Sequence, residues 1–533
     1  MTSSTKLDAE LSSEEIAKRV RAEELDNSEL FDVHTWSEYP EVNKAVDALY
    51  AELLKDPKFS SKGKGEKERS DVITIKKKHI KVIILDLYVK WLEDPQKYSS
   101  FYRMRNRYSE LEERYNKLNI SYKTVTVVDS LEKKGYLELI KGHLDRTGAK
   151  TSHISRMRAT DKLISLIKDD YEINPEMVEL YPHLECIILR DYDAKGNKRD
   201  IPYVDDRRTI GWRNELYRYN NLLRRTFIDI PHFPKEGVYG RSKKRKIKIN
   251  RNDKFVRRIF SNGTFKDGGR FYGGWWQRLP KEWRGKIKIN DSPVVEIDYS
   301  GLHIVMLYAK EGIDYWKVIG NDPYELVGIE KSERMRGLLK LILLCAINAK
   351  DKISAIKAVN QRINQDIDDY RWVKEEKINL TELIDKFAKK HKTISDNYFF
   401  TGYGVKLQHL DSLIAEQIIN LMTKKDIPVL CIHDSFIVQS DKEGLLRDYM
   451  QLSFDVVLGG FRDFESTLAE VKSTGVSKVE AEVERETQPK SALKDIDYED
   501  RLKAHRETTW TDHYKPKEAE SPDTFSGVTI DIN

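Results

Sequence analysis

The chain has 533 residues, 34% of them charged, and 93 Lys and Arg against 88 Asp and Glu leave a net charge of +5. That length accommodates roughly two to four domains with a sizeable core. Its three cysteines (Cys186, Cys345, Cys431) are far apart in apolar surroundings, which excludes a disulfide framework and a zinc site. No opening signal peptide and no apolar run long enough to cross a bilayer is visible, so a cytoplasmic protein without a membrane partner is expected. The charge is uneven: about −7 in the first fifty residues, about −5 in the last sixty, and about +17 between them. A basic body of that kind suits a polyanionic partner, because Lys and Arg release phosphate counterions.

In chain order, residues 1–70 open acidic and poor in aromatics, and a partly disordered region is expected there. Residues 75–168 read as a small domain. Ile80–Trp91 is an amphipathic helix, and a second charged helix is expected through Arg107 to Leu118. A third begins after Ser121 as N-cap, carries Val125, Val128 and Leu131 as its core stripe, and stops at Gly135. Lys123, Thr124 and Thr126 should face outward near its start. Tyr136–Ile140 and Thr151–Arg158 follow as two strands around the polar turn Asp145–Gly148. This order resembles winged helix-turn-helix domains. The resemblance implies duplex DNA binding through Lys123 and Thr124 on a recognition helix and Arg146, Arg156 and Arg158 on the wing. A packing module that touches no nucleic acid is the alternative.

Residues 170–473 form a second unit. It starts with an Arg-rich helix, Arg207–Arg225, then a basic run from Arg241 with six basic residues in eight positions, suited to a nucleic-acid backbone. Gly268–Pro280 mixes glycines, Arg270, aromatics and Gln277, which allows close backbone approach and stacking. Two short apolar strands, Val294–Asp298 and Val429–Val438, each deliver one aspartate. A carboxylate ending an apolar run must be solvated, paired or bound to metal, and two brought together repel unless a divalent cation lies between them. Asp298 and Asp434 are therefore the candidate catalytic metal ligands, with the Tyr299 carbonyl beside them.

From Gly268 to Val438 the chain resembles the family A DNA polymerases, the polymerase I superfamily. Gly269-Arg270, Gln277-x-x-Pro280, Arg284 and Asp298-Tyr299-Ser300 follow the family's order into motif A, and His433-Asp434 matches motif C. Asp322-Pro323-Tyr324 looks like the short segment between motif A and the fingers helix. Arg336 and Lys340 match the fingers helix, where the resemblance implies nucleotide phosphate binding and, for Lys340, catalysis. The match then departs, with Leu344 at the aromatic position and Asn348-Ala349 at the Tyr-Gly position. His303 stands where the DNA enzymes keep a glutamate, and Ser435 follows motif C as in the single-subunit RNA polymerases. The resemblance also implies nucleic-acid contacts from Arg270, Gln277, Arg284, Gln408 and His433, with His303, Leu344 and Asn348 near the nucleotide.

The expected fold class is thus α+β: a right-hand polymerase of palm, fingers and thumb preceded by a small α/β winged-helix domain. The thumb is expected at about 170–255, the palm at about 256–310 and 400–473, and the fingers at about 311–399 with a charged helical insertion at 361–392. Residues 475–533 are expected to be a disordered tail. The implied activity is template-directed DNA polymerisation on a primer, without a proofreading exonuclease, using two Mg²⁺ ions (or Mn²⁺), nucleoside triphosphates and a primer–template. Replication of a plasmid, phage or mobile element would fit, in a host cytoplasm if the chain is encoded by a phage. The alternatives are a primase or single-subunit RNA polymerase, and a non-catalytic DNA-binding initiator.

Overall fold

The computed structural model describes residues 27–60, 69–109, 113–143, 153–181, 183–194, 196–240, 246–459, 471–473 and 496–508. It is a mixed α+β structure of two compact units, one holding the chain to Glu185 with Lys248–Asn252, the other Cys186–Ile247 and Asp253 onward.

The first unit is built on β1 (Ser28–Leu30), α1 (Pro40–Leu53), α2 (Ser70–Glu93), β2 (Tyr98–Phe101), α3 (Lys123–Lys133), β3 (Leu137–Ile140) and β4 (Ser155–Ala159). Every residue of α2 from His79 to Tyr88 is buried, and a helix covered all round is a central element rather than a surface one. The strands form one sheet in the order β1-β2-β4-β3, parallel only between β1 and β2. The buried Asp86 of α2 is answered by Lys90, by Ser99 Oγ at 2.6 Å and by the Asp32 N–H at 3.0 Å. Gly135 ends α3 at φ 76°, a left-handed position that favours glycine, and Val125, Val128 and Leu131 are buried as expected.

Four expectations are corrected. Residues 28–53 are part of the fold: Val42, Ala45, Val46, Leu49 and Leu53 make an apolar stripe at helical spacing behind Pro40, masked in sequence by the surrounding acidic residues. The single helix expected from Arg107 to Leu118 is instead two short turns, Arg105–Ser109 and Glu113–Tyr115. Ser121 is not the N-cap of α3, which starts after Tyr122; its hydroxyl lies 3.3 Å from His79 Nε2. The unit also continues past residue 168. Ile173 accepts from the Tyr88 hydroxyl (3.0 Å), Glu179–Leu180 pairs with Thr35–Trp36, and Asn252 Nδ2 donates to Pro175 O (2.9 Å).

The second unit contains β5 (Ile187–Tyr192), β6 (Lys198–Asp200), α4 (Arg207–Arg225), β7 (Ile228–Asp229), β8 (Val256–Phe260), β9 (Gly268–Gly273), β10 (Lys288–Ile289), β11 (Ser292–Tyr299), α5 (Leu302–Lys310) and α6 (Glu333–Asn348). It continues with α7 (Leu380–Lys390), α8 (Gly404–Lys424), β12 (Leu430–Ile432), β13 (Ser435–Gln439), α9 (Glu443–Gly459), β14 (Val471–Ser473) and α10 (Ile496–Glu507). The Arg-rich helix α4 forms as expected, opened by a capping box between Asp206 and Thr209. One sheet runs β9-β8-β5-β6. The other runs β12-β13-β11-β10-β7, with β14 also paired to β11. Residues 241–245 of the basic run lie outside the described residues.

The expectation for the C-terminal tail is corrected at residues 496–508, the part of it that is described. Helix α10 buries Tyr498 and Leu502 against Phe227, and its Arg501 pairs with the buried Asp229 at 2.6 Å. Replacing Tyr498 by Ala should therefore destabilise the second unit by about 3 kcal/mol, as large-to-small core changes do. Urea unfolding followed by tryptophan fluorescence checks this. An unchanged midpoint would mean that α10 does not dock in solution.

Candidate active site

Strand β11 runs Val294–Val295–Glu296–Ile297 with all four side chains buried, so both faces of the strand are covered until Asp298. It pairs antiparallel with β13, placing Asp298 opposite Ser435. Asp434 and His433 are the whole connection between β12 and β13, a two-residue hairpin turn. His433 adopts φ 59° there, a conformation uncommon outside glycine, with its ring against Tyr272 (centroids 5.3 Å apart). Strain of this kind clusters at functional sites.

The two aspartates are brought together by that register. Burial, then the charge of Asp434, pushes the Asp298 carboxyl up to about 7, while Lys340 of α6 is close enough to oppose the rise. Asp298 Oδ1 is buried with no hydrogen-bond partner among the described residues. Tyr299 sends its side chain into the core, its hydroxyl donating to Met450 O, so only its backbone is available at the site.

The layer beneath holds this register. Glu296 is buried and takes Arg284 in both oxygens, Nε at 2.9 Å and Nη2 at 2.6 Å, while Ser435 Oγ donates to the same carboxylate at 2.9 Å. Arg284 is thus not a nucleic-acid contact: it is buried and consumed by this ion pair. Gln277 is corrected likewise. Its amide accepts from the Gly273 N–H (3.2 Å) and donates to Phe271 O (3.1 Å) and Cys431 O (2.9 Å), fastening β9 to β12.

Beside the aspartates, Asp411 of α8 is buried and receives Arg270 Nε at 3.0 Å, with His303 Nε2 at 2.9 Å. Arg270 Nη2 also lies 3.2 Å from His303 Nε2, so that nitrogen can accept from Arg270 or donate to Asp411. Burial alone would raise the Asp411 carboxyl, but His303 and Arg270 outweigh it and hold it below the usual range. Sequence reasoning missed both Asp411 and Glu296. A signal for Asp411 existed: it replaces an apolar residue in the buried stripe of Leu407, Ile414 and Ile418, where an acid needs a partner.

Arg336, Lys340, Leu344 and Asn348 fall at four-residue steps on one exposed face of α6. Asn348 turns its amide back to Leu344 O at 2.7 Å. Arg336 and Lys340 approach the Tyr324 ring, at 5.1 and 5.9 Å from its centroid. The Tyr324 phenol is pushed up by burial and then by Asp434, with Asp298 adding to the rise, so both aspartates act on this ring as well. Gln408 is half-buried one turn before Asp411.

In the first unit, Lys123 is exposed but Thr124 is fully buried, its hydroxyl donating to Ser121 O at 2.9 Å, which removes it as a base contact. Thr126 is half-buried. Arg158 sits within β4, paired with Glu138 directly across the sheet and stacked on Tyr98. Arg156 donates to Ile154 O at 3.3 Å. Neither arginine is at a wing tip, and Arg146 lies outside the described residues.

No family model matches the chain, and no curated protein matches it. Among solved structures it is similar to the polymerase domain of Pol1 from M. smegmatis, solved in complex with DNA primer-template and dNTP. The identity is 9% and the TM-score 0.24, over 42% of this chain and 47% of that one. The chain thus spans about half the length of that structure.

Two substitutions should shift stability in opposite directions with pH. Asp298→Asn removes a carboxyl raised from 3.8 to about 7. Ionising it opposes folding above pH about 4, increasingly up to pH about 7. In EDTA the variant should gain on the order of 2–4 kcal/mol at pH 8, and the gain should vanish below pH about 4. Asp411 is depressed, so its contribution is present above 3.8 and lost as pH falls through its folded value. Asp411→Asn should cost about 3 kcal/mol from pH 8 down to pH 5, since it leaves Arg270 without its buried partner. Urea melts at several pH values check both signs.

Proposed function

We propose that the second unit is a template-directed nucleotidyltransferase, a DNA polymerase extending a primer 3′ end. The observation that carries this reading is the meeting of Asp298 and Asp434, with one buried carboxylate oxygen unpartnered among the described residues and Lys340 of α6 close enough to act on Asp298. Palm, fingers and thumb, and a winged helix in the first unit, belong to the same reading. The exposed Lys123 at the start of α3 supports duplex DNA contact.

The residues fit divalent magnesium. Among the described residues no group of three or more His, Cys, Asp or Glu could hold a metal ion by itself. Mg²⁺ suits such a set, because it takes one or two carboxylates, keeps waters and shares substrate phosphates. Asp298, Asp434 and the Tyr299 carbonyl would hold two ions, which supply activation of the 3′-hydroxyl and stabilisation of the pyrophosphate leaving group.

The chain's own groups do the rest. Arg336 binds the terminal phosphate through its fork of N–H donors. Lys340 neutralises charge on the departing pyrophosphate and can give it a proton. Arg270 and His303, fixed on Asp411, present a rigid surface beside the aspartates. Leu344 and Asn348 line the exposed face of α6 next to the nucleotide. In this reading Gln408 and His433 meet the primer–template.

Extension of a labelled primer on DNA with Mg²⁺, offering dNTPs and NTPs separately, tests this. We expect dNTP-dependent extension that falls by at least about 10³-fold in Asp434→Ala. Extension or unprimed synthesis with NTPs would make the product RNA, and no synthesis with either would leave a DNA-binding protein. A second readout needs no turnover. Mg²⁺ should raise the melting temperature of the wild type by relieving the repulsion of the aspartates, but not that of Asp298→Asn.

A further inference from the structure

The charged insertion has no role in the reading above, yet the end of α7 reaches the site through backbone contacts. Lys390 Nζ donates to Asp322 O (2.6 Å) and Glu325 O (2.7 Å). His391 is fully buried and its Nε2 lies 2.9 Å from Pro323 O. A carbonyl only accepts, so that nitrogen carries the proton, and Nδ1 accepts from the Tyr308 hydroxyl at 3.1 Å. On the other side the loop lies tight against Gly301, just past motif A. A Cβ at Gly301 would stand 2.7 Å from Pro323 Cγ, and its φ of 63° already favours glycine.

The backbone of residues 322–325 is thus pinned, and two of its side chains, Asp322 and Tyr324, meet α6. Asp322 takes Arg336 through Nε at 2.7 Å and Nη2 at 3.4 Å. This is the two-pronged geometry by which a guanidinium holds a phosphate. Both side chains of the pair are partly exposed, so exchange with an incoming anion is sterically open.

We infer that Asp322 is a stand-in anion for the nucleotide triphosphate at Arg336, presented by a loop that Lys390 and His391 hold in register. The inference rests on the nucleotide reading of α6. While the site is empty, Asp322 keeps Arg336 extended along the helix face and satisfied. A triphosphate must displace it, so nucleotide binding is weaker than Arg336 alone would give, and the guanidinium is already oriented when the phosphate arrives. Lys390 and His391 are positioning residues, acting through the loop and not on the substrate.

The probe is inorganic tripolyphosphate, which carries the chemistry shared by deoxyribo- and ribonucleotides, titrated calorimetrically into the full chain. Arg336→Gln should bind it more weakly than the wild type. Asp322→Asn, which keeps the oxygen that accepts from the Tyr324 N–H, should bind it about two- to five-fold more tightly, the scale of a half-exposed ion pair. If Arg336→Gln binds as well as the wild type, the phosphate reading of α6 falls, and this inference with it. If Arg336→Gln is weaker but Asp322→Asn is unchanged or weaker, only the stand-in role falls. In a Lys390→Met background the gain from Asp322→Asn should shrink. A gain of undiminished size would overturn the anchoring role, since mere destabilisation leaves that ratio alone.

Discussion

Mutual repulsion of Asp298 and Asp434 is the constraint around which the second unit is arranged. Strand pairing between β11 and β13 forces the two carboxylates to one end of a sheet whose interior is apolar. Left alone they would separate, by fraying of the turn or by a register slip that sends Asp298 to the other face. The layer beneath opposes both. Arg284 and Ser435 converge on Glu296, so one buried carboxylate ties β11 to β13. Trp276 and Gln277 both donate to Cys431 O, fixing β12 one residue pair away. Tyr219 of α4 donates to Val429 O at 2.6 Å, just before the same strand. A hairpin held at so many points can keep His433 in a left-handed conformation.

Positive charge in the second unit is divided into two classes by burial. Arg284 and Arg258 are buried and fully committed, the latter to Glu416 at 2.6 Å and Gly269 O at 2.9 Å. Removing either partner of such a pair leaves an uncompensated charge, so these arginines build the site and do not serve a ligand. Arg336 and Lys340 stand exposed on α6, where a phosphate can reach them. Arg270 lies between the classes: it is anchored by Asp411, but the same cluster holds His303 beside the aspartates.

The sequence made legible whatever depended on local pattern. An aspartate ending an apolar strand is conspicuous because burial penalises it, and both Asp298 and Asp434 were found that way. Helix α4, the stop at Gly135 and the four-residue spacing along α6 are equally local. Long-range partners were not legible. Gln277 and Arg284 occupy positions that a motif would assign to nucleic acid, but their hydrogen bonds end on Cys431 and Glu296, distant in sequence or unremarkable in it. Thr124 was expected to face outward from helix periodicity, and packing that buries it together with Val125, while leaving Lys123 exposed, overrode that. Net charge misled at the termini, because α1 and α10 each bury an apolar stripe inside acidic sequence.

One consequence concerns what an arginine in a motif can be taken to mean. Arg284 and Arg336 have the same functional group, and each meets a carboxylate through two nitrogens. They differ in what the carboxylate can do next. Glu296 is buried in a strand and bound by a third group, so releasing Arg284 would strand a charge in an apolar layer. Asp322 stands on a loop at the surface and can turn to water. The first pair is therefore architecture, and the second is an exchangeable contact, a distinction set by burial and by the mobility of the acid rather than by the identity of the base.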